Sequence, residues 1–262
     1  MESDSTTEEG PPGPPLGNIS VVLVEPGSPG NIGAVARVLK NTGIGQLSLV
    51  NPGNWDLPET RWMAHASGEI LDNCTVFPDL RAAVRHANLV IGTTCRAGRL
   101  RELEDDYRGL LAKACDCARS HRVALVFGRE RDGLWSRELE QCHWLLRIPA
   151  AVPYPSFNLS HAVLLVAHEL FHAAGSEKSG GPEPGSPQPS LATAEQTERV
   201  IRNVLDAMAA IGFKAYNDDP GTFARVLRRF LTRTPLERRD AMVIHRICGQ
   251  VRKFSQGLRR GV

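Results

Sequence analysis

Short apolar runs alternate with helix-period segments from Ile19 to Ala173. The runs Ser20–Val24, Leu47–Val50, Cys74–Phe77, Leu89–Gly92, Val123–Phe127 and Trp144–Ile148 have strand length and composition. Between them Ile32–Asn41, Asp79–His86, Glu104–Ser120 and Ser136–Gln141 place apolar residues at helical spacing. Val123-Ala124-Leu125-Val126-Phe127 is apolar throughout, which suits a parallel sheet covered on both faces, because an open-faced sheet would alternate. The pattern predicts an α/β domain with helices on both sides of a parallel sheet.

The flanks read differently. Asn158–Ala173 is a strongly apolar helix that closes the α/β region, and Gly175–Ser190 then holds 4 Gly, 4 Ser and 4 Pro in 16 residues, the composition of a flexible linker. Beyond it, Thr193–Ile211, Gly221–Thr232 and Pro235–Ser255 have helical spacing, with Thr234 placed to cap a helix that starts at Pro235. Residues 1–18 are rich in Pro, Gly and acid without apolar periodicity, and are expected to be a disordered tail. The expected order is tail 1–18, α/β domain 19–174, linker 175–190 and a small all-helical module 191–262.

Composition narrows this. With 42% hydrophobic and 23% charged residues, the 262-residue chain is a soluble globular protein rather than a disordered or fibrous one. The net charge of +2 hides a split: residues 191–262 hold 14 Lys+Arg against 7 Asp+Glu, a local +7, so residues 1–190 carry 17 against 22, or −5. A nucleic-acid footprint is therefore expected at the C-terminus, where Arg228, Arg229, Arg233, Arg238 and Arg239 cluster, against the alternative of a solvated helical face. The six cysteines include no CxxC pair, which argues for reduced thiols, a cytoplasmic setting and no structural zinc. The acidic, Pro-rich start lacks the order of a signal peptide, and no apolar stretch approaches the roughly 20 residues of a membrane span.

Candidate chemistry sits where strands end. Glu25 to Arg37 is a Gly/Pro-rich loop leading into a helix on which Asn31, Arg37 and Asn41 interrupt apolar positions; an N-cap Asn and surface residues would give the same pattern. It lacks G-x-G-x-x-G, so a dinucleotide fingerprint is absent. Phe127-Gly128-Arg129-Glu130 ends a buried strand in a burst of charge, at the sheet edge where α/β proteins bind ligands. Thr93-Thr94, Arg147-Ile148 and Ser156-Phe157-Asn158 mark three more exits, although Ser156 or Asn158 could simply cap the helix that follows. His168-Glu169-Leu170-Phe171-His172 matches H-E-x-x-H, but Lys178 occupies the third-ligand position of the extended zinc-protease pattern, so a zinc hydrolase is not the favoured reading.

Taken together, Asn31-Ile32-Gly33-Ala34-Val35-Ala36-Arg37, then Phe127-Gly128-Arg129-Glu130 with Gly133-Leu134, then Tyr154-Pro155-Ser156-Phe157-Asn158-Leu159-Ser160 resemble the three motifs of the SPOUT superfamily, SpoU/TrmH class, and within it the TrmJ type. The resemblance implies a parallel-sheet domain with a deep C-terminal trefoil knot, a homodimer, S-adenosylmethionine as donor, and methylation of a ribose 2′-hydroxyl of tRNA at anticodon-loop position 32. Ribosomal RNA, another tRNA position, or a non-catalytic RNA-binding role are the alternatives. By position it implies donor binding at Thr93, Thr94, Cys95, Gly128, Ile148, Pro155, Ser156 and Phe157, and a catalytic centre of Asn31, Arg37, Glu130, Ser156 and Asn158. Because a guanidinium stays protonated, Arg37 is expected to act electrostatically rather than as a base.

Overall fold

The computed structural model describes residues 15–95, 106–152, 156–175, 189–214 and 219–260. Residues 1–14 of the expected tail, most of the expected linker, and Pro155 lie outside the described residues. Six strands, β1 (Ile19–Val24), β2 (Gln46–Val50), β3 (Thr75–Phe77), β4 (Leu89–Thr93), β5 (Val123–Phe127) and β6 (Trp144–Leu146), form one sheet in the order β3-β2-β1-β5-β4-β6. Every pairing is parallel. The all-apolar β5 lies between β1 and β4 and is buried along its whole length, which is why its side chains do not alternate.

Both faces of the sheet are covered. On one, α1 (Pro29–Thr42), α5 (Tyr107–Ala118) and α7 (Leu159–Gly175) bury Val35, Leu39, Leu111, Val163 and Leu170 against Val21, Leu23 and Leu125. On the other, α4 (Leu80–Val84) packs Leu80 and Val84 on Val22, Val90 and Val126. Two short helices not evident in the apolar pattern, α2 (Pro58–Ala64) and α3 (Gly68–Asp72), follow β2. Helix α2 lies so close to α1 that a Cβ at Gly33 would collide with the Thr60 carbonyl, which gives the glycine of the first motif a packing reason.

The folded body begins earlier than the pattern predicts. Pro15–Asn18 forms a 3₁₀ turn whose Leu16 is wholly buried, and Asn18 Nδ2 donates to the Ala118 carbonyl at 2.9 Å. One isolated apolar residue has no periodicity to detect. The cysteines are free, and burial pushes the Cys74 thiol up to about 12 and those of Cys115 and Cys117 up to about 11.

After α6 (Ser136–Leu139) and the apolar helix α7 come α8 (Ala194–Ala210), α9 (Pro220–Leu231) and α10 (Arg238–Arg260), held together by Val200, Ile201, Leu231 and Ala241. The expected start of the last helix at Pro235 is not observed. Leu236 instead accepts from Ala192 N at 2.7 Å and Arg238 N donates to Ser190 at 2.8 Å, so Pro235–Glu237 is held extended against the chain entering α8. The module docks on the sheet body through Ala194 N to Ala87 O (2.8 Å) and Asn88 Nδ2 to Leu191 O (3.0 Å), while a bidentate Arg228–Glu198 pair ties α9 to α8 within it.

Candidate active site

The C-terminal ends of β4, β5 and β6 and the start of α7 enclose a cavity of about 340 Å³. Thr93, Thr94, Cys95, Gly128, Ile148, Ser156 and Phe157 all line it. Its floor is fixed by the sheet: Thr93 Oγ1 donates to Val126 O at 3.0 Å and Thr94 N to Leu146 O at 3.0 Å. One wall is the loop after β5, where Arg129 and Gly133 exchange backbone hydrogen bonds of 3.3 and 2.9 Å. That closure is why the motif needs two glycines. A Cβ at Gly128 would collide with the Gly133 backbone, and Gly133 itself sits at φ +65°.

Glu130 stands between this cavity and a shallow groove lined by Glu25, Gly27, Ser28 and Asn31. Its carboxylate accepts from Gly27 N at 2.9 Å, Ser28 N at 3.3 Å and Asn31 Nδ2 at 2.9 Å. Burial acts to raise its pKa, but the hydrogen bonds from Gly27, Asn31 and Ser28 outweigh it and hold the carboxyl below its ordinary value. An ionised carboxylate takes only donors, so Asn31 must turn its NH₂ toward Glu130 and its oxygen away. That oxygen accepts from Asn158 Nδ2 at 3.0 Å, and Asn158 Oδ1 in turn accepts from Ser160 N at 2.9 Å, Ser160 Oγ at 2.7 Å and His161 N at 3.4 Å. One directional chain thus runs from the Glu130 carboxylate to the open N–H groups at the start of α7. It joins three sequence blocks, the first of which lies 99 residues from Glu130 and 127 from Asn158.

The capping alternatives resolve individually. Asn158 both caps α7 and joins the array, whereas Asn31 is no cap: Ser28 fills that place on α1, accepting from Asn31 N at 3.4 Å. Ser156 lines the cavity from an exposed position. Arg37 is not brought to this cavity. It is exposed on α1, and its side chain makes no hydrogen bond or ion pair with another described residue. Among the basic residues of the module, Arg229, Arg233 and Arg238 are exposed, and Arg239 is exposed beside Glu237 at 2.7 Å. Arg228 departs from expectation, because its guanidinium is tied to Glu198 at 2.6 and 3.1 Å and only a quarter exposed.

The H-E-x-x-H histidines meet on the exposed side of α7, His168 Nε2 and His172 Nε2 lying 3.3 Å apart, while Glu169 pairs with Arg108 at 3.1 Å. Among the described residues no group of three or more His, Cys, Asp or Glu is placed to hold a metal ion. The sequence reading missed Glu25, Glu138 and Trp135, which converge on Arg129; the only signal was the burst of charge after β5. No helix among the described residues is long and apolar enough to cross a membrane.

Known proteins match this arrangement along most of the chain. The tRNA (cytidine/uridine-2′-O-)-methyltransferase TrmJ of Escherichia coli (strain K12) is 33% identical over 244 residues, 92% of this chain and 98% of the relative, and that of Pectobacterium atrosepticum is 33% identical over 240 residues. Among solved structures, TrmJ from Z. mobilis ZM4 shares the fold with a TM-score of 0.75 at 24% identity, covering 88% of this chain and 98% of that one. A methylase family protein from Haemophilus influenzae Rd KW20 gives a TM-score of 0.59 at 32% identity, covering 91% and 97%. The SpoU rRNA Methylase family matches residues 18–168, a span that starts just before β1, ends inside α7 and contains Asn31, Glu130 and Asn158; the chain belongs to that family.

Proposed function

We propose that the protein is an S-adenosylmethionine-dependent methyltransferase that modifies a ribose 2′-hydroxyl of tRNA, at cytidine or uridine in position 32 of the anticodon loop, and that it works as a cytoplasmic homodimer with a trefoil-knotted catalytic domain. The observation that carries this reading is the Glu130–Asn31–Asn158 array at the mouth of the cavity. The 33% identity to enzymes named tRNA (cytidine/uridine-2′-O-)-methyltransferases supports the substrate.

The cavity fits the donor. Its volume of about 340 Å³ lies in the small-molecule range, and its lining joins apolar Leu134, Leu146, Ile148 and Leu159 to backbone-rich Gly128 and Gly133 and the hydroxyl-bearing Thr93 and Thr94. Such walls suit an adenosine with its methionine tail. When bound, the donor supplies an electrophilic methyl group.

The chain's own residues then have to bring a 2′-oxygen in line and raise its nucleophilicity. Asn31 and Asn158, each fixed in orientation, hold the groove beside the cavity in one shape. Arg37 stays protonated, binds the flanking phosphate and stabilises the developing alkoxide. Since it does not line the cavity of its own chain, it acts in the site of a second copy. Exposed Leu164, Leu165 and Phe171 on α7 and Trp62 on α2 form the apolar face for that copy. Exposed Arg229, Arg233, Arg238 and Arg239 grip the RNA backbone; Arg228 is left out of this set.

Mapping 2′-O-methyl sites in tRNA from cells with and without the protein tests the reading. Loss of methylation at position 32 alone is expected. An unchanged tRNA profile, or loss in ribosomal RNA, contradicts it.

A further inference from the structure

The loop after β5 holds one arginine whose whole fork is engaged. Arg129 is 9% exposed; Nε donates to Glu25 Oε2 at 2.8 Å, and Nη1 and Nη2 donate to the two oxygens of Glu138 at 3.0 and 2.9 Å. Nη1 also reaches the Gly133 carbonyl at 3.3 Å, and the guanidinium carbon lies 3.6 Å above the Trp135 ring. Two carboxylates, a carbonyl and an aromatic face occupy this cation. It therefore has no charge to offer to RNA or donor, unlike exposed Arg131 two residues on.

What it holds is more informative. Through Glu138 and Gly133 it fixes the loop that walls the cavity, since Glu138 also accepts the Trp135 N–H at 2.8 Å. Through Glu25 it holds the loop after β1. Glu25 adopts φ +46°, a left-handed conformation that a non-glycine residue keeps only when its surroundings enforce it. Two and three residues later, Gly27 and Ser28 present the amides that bind Glu130, the neighbour of Arg129. The two loops are thus crossed: Arg129 reaches from the second loop to Glu25 in the first, and the amides of the first reach back to Glu130.

We infer that Arg129 is a positioning residue that locks the cavity wall and the Glu130–Asn31–Asn158 array into one register. This rests on reading the site as a methyl-transfer centre. The two arms have separable consequences. Breaking the Glu25 arm loosens the amides around Glu130 but leaves the cavity wall; breaking the Glu138 arm loosens the wall. A lysine cannot replace the fork, because a point charge cannot span Glu25 and both oxygens of Glu138.

Three full-length variants test this, Arg129→Lys, Glu25→Ala and Glu138→Gln, each with S-adenosylmethionine affinity by calorimetry, single-turnover methyl transfer to tRNA, and amide hydrogen exchange at Gly27 and Ser28. Glu25→Ala is expected to lower the transfer rate by about tenfold or more with donor affinity changed less than about twofold, and Glu138→Gln to weaken donor affinity by about tenfold. Arg129→Lys is expected to show both losses, and exchange at Gly27 and Ser28 is expected to quicken in Glu25→Ala and Arg129→Lys. Wild-type behaviour of Arg129→Lys, or equal losses in both readouts for Glu25→Ala and Glu138→Gln, would overturn the inference. Should the wild-type protein itself fail to bind the donor, the methyl-transfer reading falls, while the exchange measurement still decides whether Arg129 couples the two loops.

Discussion

In the sheet body, the polar side chains at the cavity mouth are held by several partners each, whereas the exposed arginines of α9, α10 and the turn between them mostly stand in solvent. Glu130 takes three donors and Asn31 is committed on both sides of its amide, while Arg229 and Arg233 are simply exposed. The first arrangement suits chemistry that needs placement to a fraction of an ångström. The second suits a long polyanion that can be gripped through charge in more than one register. Substitutions in the two regions should therefore fail in different ways.

The largest effect belongs to Arg37. Arg37→Ala is expected to lower methyl transfer by about a thousandfold while donor affinity stays within about twofold, because the proposed contacts of Arg37 are to the RNA phosphate and the developing alkoxide and not to the donor. Calorimetry and single-turnover assays check this, and near-wild-type turnover would remove Arg37 from the centre. Next is the basic module, where Arg229→Glu with Arg233→Glu should weaken tRNA binding by about tenfold and reduce the slope of log K against log salt by about two, at unchanged single-turnover rate on saturating tRNA. A salt titration separates that from a folding defect.

Acid should act on the body. The carboxyl of Glu130 is held below its ordinary value, as is that of Glu25, whose strongest cause is the hydrogen bond from Arg129. A depressed folded-state pKa contributes stability that is present above the unfolded value of about 4.3 and lost as pH falls through the folded value. The melting temperature is therefore expected to drop as pH falls below about 4, and Glu130→Gln should flatten that limb. Smallest is Arg228→Met. Because its guanidinium is tied to Glu198, tRNA affinity should change by less than about twofold, in contrast to Arg229 and Arg233.

How much of this could be read beforehand follows from the range of each interaction. The strands, α1, α5, α7 and the module helices α8 and α9 were legible because periodicity is local, and the meeting of the strand exits at one cavity because every exit of a parallel sheet lies on one edge. Short α2 and α3 and the buried Leu16 were not, since five to seven residues or a single apolar contact carry no period. The Thr234-Pro235 cap signal was sound locally, yet Leu236 and Arg238 make better use of their backbone against Ala192 and Ser190. The Arg129–Glu25 pair spans 104 residues, and no spacing rule reaches that far. Arg37 was placed in the centre by resemblance, while the single chain leaves it on an exposed helix face.

The division between placement and charge is tested most directly at Asn31, which joins Glu130 to Asn158 and touches none of the module. Single-turnover methyl transfer by Asn31→Ala at saturating tRNA, measured beside its tRNA affinity across a salt series, should show a rate lowered about a hundredfold with affinity and salt slope unchanged. A wild-type rate, or a loss that appears in tRNA affinity instead, would contradict the account.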